Sequence, residues 1–122
     1  MTKEERVVCA LSREEPDRQP KLDDLRGRRV VLDTQGPLVY IGQLIAYDEC
    51  GYWLAEADVH DRDEGHSTKE SYVNQAYLLE RSGTRQVNRR RVFVERSAIV
   101  SLSALDDVVV DEQPGDAPAW IP

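Results

Sequence analysis

Only two cysteines, Cys9 and Cys50, occur in the 122 residues. Two thiols are too few for a disulfide framework, so both are expected to be reduced and structural. No apolar run approaches the roughly 20 residues that a membrane-spanning helix requires. The stretch MTKEERVVCALSREE brackets a short apolar patch with charges and lacks the long hydrophobic region of a secretory signal. There is no glycine-rich phosphate loop. Ser97, Ser101 and Ser103 have no evident histidine partner, and neither cysteine has a visible activating neighbour. These absences predict a cytoplasmic non-enzyme that uses no cofactor and meets no membrane.

What is present suits one domain with a real core, since 122 residues are too few to expect two. The net charge of −7 argues against a generic polyanion binder, but the charge is unevenly placed. Residues 48–64 carry Asp48, Glu49, Glu56, Asp58, Asp61, Asp63 and Glu64 against Arg62, a balance of −6. Residues 81–96 carry Arg81, Arg85, Arg89, Arg90, Arg91 and Arg96 against Glu95, a balance of +5. From Asp106 onward five acids face no base.

Along the chain, Pro16 and Pro20 interrupt any helix, so residues 1–20 are expected to form a flexible arm with at most a short helix. KLDDLRG follows as a helical turn closed by Gly27, and RRVVLDT as a strand rich in β-branched residues. Leu38 to Tyr47 is apolar on both pleat faces: Leu38, Tyr40 and Leu44 on one, Val39, Ile41 and Ile45 on the other. Such a run fits a strand buried on both sides, or one bent so that its halves face different layers. Gly42 at its centre favours bending, and GYWLAEA returns as the second arm of a strongly curved hairpin.

After Val59, HDRDEGH reads as a polar loop and STKE at 67–70 as a capping box between Ser67 and Glu70. The helix over 67–82 places Tyr72, Ala76 and Leu79 on a core-facing stripe with Val73 and Tyr77 beside it, and Gly83 ends it. Two strands, 88–96 and 98–105, finish the domain with almost no loop between them, which implies a tight or 3₁₀-like corner. The acidic, proline-rich stretch from 106 to 122 reads as a mobile tail, with Trp120 as an exposed aromatic in it or Trp120-Ile121 as a short anchor.

RRVVLDTQGPLVYIGQLIAYDE and GYWLAEADV are similar to the first motif of the Sm-like (LSm-type) family, and RRVFVERSAIVSLS to its second. The resemblance covers residues 22–59 and 88–105, a pattern that SH3-like and OB-like barrels share in part. It implies a mainly β fold: a five-stranded, strongly bent antiparallel barrel over 21–105, with a helical turn before the first strand and the helix at 67–82 inserted between strands three and four. It also implies subunits pairing through strands four and five, and single-stranded RNA bound near the two motif loops. Of the family's loop residues Asp48 matches, while Cys50 stands at the aromatic position and Tyr52 at the asparagine position. In the second loop Arg96 stands one residue away from the family's arginine, with Ser97 following.

Three readings compete. An assembly or interaction module would use the strand edges, forming homo-oligomers or holding a protein partner. A single-stranded RNA binder would use Asp48, Tyr52, Trp53, Arg89, Arg91 and Arg96, the arginines on phosphates and an aromatic ring on a base. Against this, Arg89–Arg91 alternate across a strand and could pair with the acidic loop instead. A metal site would draw on His60, Asp61, Asp63, Glu64 and His66, but their spacing fits no established ligand motif, so no metal is expected. The first reading is preferred, with RNA binding as its alternative.

Overall fold

The computed structural model describes residues 19–65 and 67–110. The expected arm up to residue 18, Cys9, His66 and the Trp120-Ile121 pair lie outside the described residues. A 3₁₀ turn, Leu22–Leu25, leads into β1 (Arg29–Thr34), β2 (Leu38–Tyr47) and β3 (Gly51–Asp61). The helix α1 (Lys69–Arg81) follows, then β4 (Arg89–Glu95), a 3₁₀ corner at Arg96–Ala98, β5 (Ile99–Ala104) and a last 3₁₀ turn at Leu105–Asp107. All five strands form one antiparallel sheet in the order β4-β3-β2-β1-β5. The expected mainly β fold, helical turn, inserted helix and minimal fourth-to-fifth corner are all present. The sheet is bent but not closed: β4 and β5 do not pair with each other.

The bend has a definite origin at Gly42. A Cβ there would lie 3.0 Å from the Cβ atoms of both Ala57 and Leu54, so a side chain at this close approach would push β3 away by a few tenths of an ångström. Opposite it the β2–β3 register slips between Ile41 and Gln43. The extra residue on the β3 side is Glu56, at φ 48°. This bulge adds local twist and curvature. A second slip, between Leu44 and Ala46, makes Ile45 the extra residue on β2. Ile45 is 36% exposed and joins neither of the buried clusters.

Of the two sequence options for β2, burial on both sides is the one realised. Val30, Leu32, Leu44, Leu54, Ala57 and Val94 form a cluster inside the bend, with Leu22, Leu25, Tyr40 and Val92 against it. On the other face Val31, Val39 and Ile41 pack with Tyr72 and Ala76 of α1 and with Leu105. Val73, Tyr77 and Val108 border this second cluster. Tyr72 and Ala76 of the expected helical stripe face the core, with Val73 and Tyr77 beside them, while Leu79 is half-buried and lines the adjoining cleft instead.

The helix starts one residue later than the expected capping box. Thr68, not Ser67, is the N-cap, its Oγ1 accepting from Ser71 N at 3.0 Å. Only the Ser67 frame carries the capping-box spacing to Glu70, since Thr68 has Ser71 three residues on. Lys69 Nζ donates to Asp33 Oδ1 (2.7 Å), Thr34 O (2.9 Å) and Gly36 O (2.7 Å), which fixes the first turn against the β1–β2 connection.

Candidate functional site

The two motif loops meet in space. Asp48 closes the β2–β3 hairpin: its N–H donates to Gly51 O at 3.0 Å, and Oδ1 accepts from the N–H groups of Cys50 (2.7 Å) and Gly51 (3.2 Å). At Gly51 the backbone of β4 runs so close that a Cβ would collide with Val94 O and the Phe93 ring. Arg96 N then donates to Cys50 O at 2.9 Å, clamping the β4–β5 corner onto the hairpin tip. The corner is held from behind by Gln35, whose N donates to Ala98 O (3.0 Å) and whose Nε2 donates to Ser97 O (3.2 Å).

The six residues singled out in the sequence are distributed over three places. Asp48 and Arg96 share the loop junction, both exposed. Tyr52 and Trp53 are successive strand residues and point to opposite faces. Tyr52 packs against the cluster inside the bend. Trp53, 41% exposed, lies on the outer face against Phe93, with ring centroids 5.1 Å apart. A single base cannot stack on both rings.

Arg91 and Arg89 sit toward the other end of β4, roughly 16 Å and 23 Å from Arg96 at about 3.3 Å per strand residue. Arg89 borders a groove with Asp61 and Glu64, and its Nη1 donates to Asn88 O at 2.9 Å. Among the described residues, none of Arg89, Arg90, Arg91 and Arg96 has a carboxylate partner within ion-pair distance.

The acidic loop is ordered by its own backbone. Asp61 Oδ1 accepts from Asp63 N at 2.9 Å, and Asp61 O accepts from Glu64 N and Gly65 N, each at 3.1 Å. His60 belongs to β3, and its ring stacks on Tyr72 at 4.1 Å with 7° between the planes. Among the described residues no three His, Cys, Asp or Glu side chains converge on a point where a cation would sit.

Sequence reasoning missed the polar contacts between α1 and the sheet. Arg29 donates to both carboxylate oxygens of Glu80, and through Nη1 to Glu56 O at 2.6 Å. Next to it, in a cleft between helix and sheet, stands Asp58. Burial pushes the Asp58 carboxyl up, and the charges of His60 and Arg29 offset only part of that. No local pattern links positions 29, 58 and 80, so nothing in the sequence could have found this group. Near the hairpin, Asp23 accepts from Arg26 and from Tyr47 Oη; these bonds, Arg26 first, hold its carboxyl below the usual range.

No family model matches the chain, and no curated protein is similar to it. Among solved structures it is similar to a chain in a crystal structure of the NatC complex bound to CoA, at 16% identity, covering 71% of this chain and 87% of that one, with a TM-score of 0.47. It is also similar to the Sm protein of Pyrococcus abyssii in complex with a uridine heptamer, at 14% identity, covering 70% and 99%, with a TM-score of 0.46. A NatC complex bound to Gag peptide and CoA contains a chain at 14% identity, 67% and 87% coverage and a TM-score of 0.43. The fold is Sm-like: a 3₁₀ turn before β1, a bent β2–β3 hairpin, a three-residue corner before β5 and the order β4-β3-β2-β1-β5.

Proposed function

We propose that this chain is a non-catalytic assembly module of the cytoplasm that self-associates by pairing the β4 edge of one copy with the β5 edge of the next. The observation that carries the reading is the open sheet, whose two outermost strands leave backbone donors and acceptors unpaired at opposite ends. Joining unlike edges is a heterologous contact, and it closes into a ring when the rotation per subunit allows. The β5 edge supports the idea through Val100, which is 62% exposed beside the register slip at Asp33/Thr34. No helix among the described residues is long and apolar enough to cross a membrane.

Sedimentation velocity tests this directly. Wild type should run as a species several times the mass of one chain, and Val100→Lys, which places a charge on the edge, should run as a monomer with an unchanged circular dichroism spectrum. A wild type that stays monomeric at high concentration would sink the reading.

Single-stranded RNA is a second ligand reading, favoured by one observation: Arg96 stands at the joined loops beside Asp48, and like Arg89 and Arg91 it lacks a carboxylate partner among the described residues. Anisotropy of a labelled single-stranded RNA should rise with protein at low salt and fall steeply as salt is added. Arg96→Ala and Arg91→Ala should each flatten that salt dependence by roughly one phosphate contact. An oligonucleotide that stays free even at low salt rules this ligand out and leaves assembly as the function.

A further inference from the structure

The outer face of the β3–β4 pair carries an aromatic patch bracketed by opposite charges. Val92 and Val94 of β4 pack into the cluster inside the bend, so Arg91, Phe93 and Glu95 point outward through the two-residue period of the strand. The register is unbroken here: Trp53 stands opposite Phe93, Ala55 opposite Arg91 and Gly51 opposite Glu95. On β2, Ala46 stands opposite Trp53. These small neighbours leave the Trp53 ring 41% exposed beside Phe93. Arg91 and Glu95 are both exposed, and among the described residues neither has an ion-pair partner.

We infer that a second copy of this chain docks on this face with its own β3–β4 face. Arg91 and Glu95 lie on either side of Phe93, each about 6.6 Å from it along the strand. A two-fold axis in the contact plane, crossing the strands at the level of Trp53 and Phe93, places Arg91 of each copy over Glu95 of the other. The same axis sets Trp53 over Trp53, Phe93 over Phe93 and Ala55 over Gly51. The aromatic rings therefore meet at the centre, and small residues leave room beside them. Such a contact is isologous, the same patch serving both copies. One short pattern, Arg91-Val92-Phe93-Val94-Glu95, supplies both of its ion pairs. Single-stranded nucleic acid suits the face less well, because Glu95 would stand against its phosphates. The contact goes beyond edge pairing and does not rest on it: it uses side chains on the face of the sheet, whereas edge pairing uses backbone groups in its plane.

Full-length Val100→Lys, in which the edge is blocked, isolates the face. A patch of these few side chains covers much less than the roughly 800 Å² a side of a stable pair. V100K should therefore be a monomer in dilute solution and form dimers as its concentration approaches about 1 mM. Sedimentation equilibrium reads the dissociation constant. Adding Arg91→Glu or Glu95→Arg should raise it at least about tenfold, because each change turns two attractive pairs into two repulsive ones. The double variant R91E/E95R restores opposite charges and should return the constant to that of V100K. An equimolar mixture of the two single variants should also dimerise, since every contact between positions 91 and 95 then joins unlike charges. V100K that stays monomeric at about 1 mM, or single variants that dimerise as tightly as V100K, would overturn the inference. So would a double variant as weak as the single ones. Edge pairing is judged apart from this, by whether wild type is heavier than V100K at equal concentration.

Discussion

Arg29 and Glu80, 51 positions apart, meet at 2.7 Å through Nη2 and Oε2, with their side chains only 13% and 14% exposed. The same guanidinium reaches Glu56 O at the β3 bulge, so one residue ties the end of α1 to the point where the sheet bends. Lys69 does the equivalent at the start of α1. The inserted helix is thus fastened at both ends by a cation, with Tyr72 and Ala76 packed between.

Removing one partner of so enclosed a pair strands the other. Arg29→Ala should cost about 3 kcal/mol or more, read from urea unfolding. Glu80→Ala should cost less, since Arg29 keeps its bond to Glu56 O and Arg85, 3.8 Å from Glu80, is released to solvent. Equal and small losses would mean that the pair does not anchor the helix.

A side chain at position 42 should strain the bend. Gly42→Ala forces a Cβ against the buried Leu54 and Ala57, and such overpacking costs about 1–3 kcal/mol. Gly36→Ala meets nothing within 4 Å and should leave the melting temperature almost unchanged.

The cap assignment separates two adjacent residues. Thr68→Ala should lose about 1 kcal/mol, the usual worth of an N-cap hydroxyl, while Ser67→Ala should be close to neutral. The reverse order in thermal melts would restore the Ser67–Glu70 box.

Asp58 makes stability pH-dependent in a direction opposite to most carboxylates. Unfolded, it returns to its ordinary value of 3.8, and folded it lies higher. Between the two the native state holds more protons, so stability falls as pH rises through that window and the loss persists above it. Asp58→Asn should therefore raise the melting temperature at neutral pH, with the gain vanishing below the ordinary carboxylate range. A gain that does not change with pH would mean that the carboxyl is not desolvated in the folded protein.

The strands, the turn before β1, the helix and the short β4–β5 corner could all be read from local pattern. Runs such as RRVVLDT and LVYIGQLIAY carry their structure in β-branched residues and in the spacing of glycine. Gly42 announced a bend because the absence of a Cβ is itself a local property. Tertiary structure decided what depends on distant partners. Thr68 caps α1 where Lys69 reaches the β1–β2 connection; Ile45 is the extra residue where β2 and β3 slip past each other. Glu56 takes a positive φ opposite Gly42, and Tyr52 and Trp53 part company across the sheet. For the candidate site, residue types were legible but their grouping was not. Asp48 and Arg96 meet only because β4 runs back along β3 to Gly51, whereas Arg89 and Arg91, on the same strand, are carried to its far end. Sequence sets which side chains a strand offers and on which face, through the two-residue period of the backbone. Register, bulges and the closing of long loops set which of them become neighbours, and those arise from pairing between segments that local sequence does not encode.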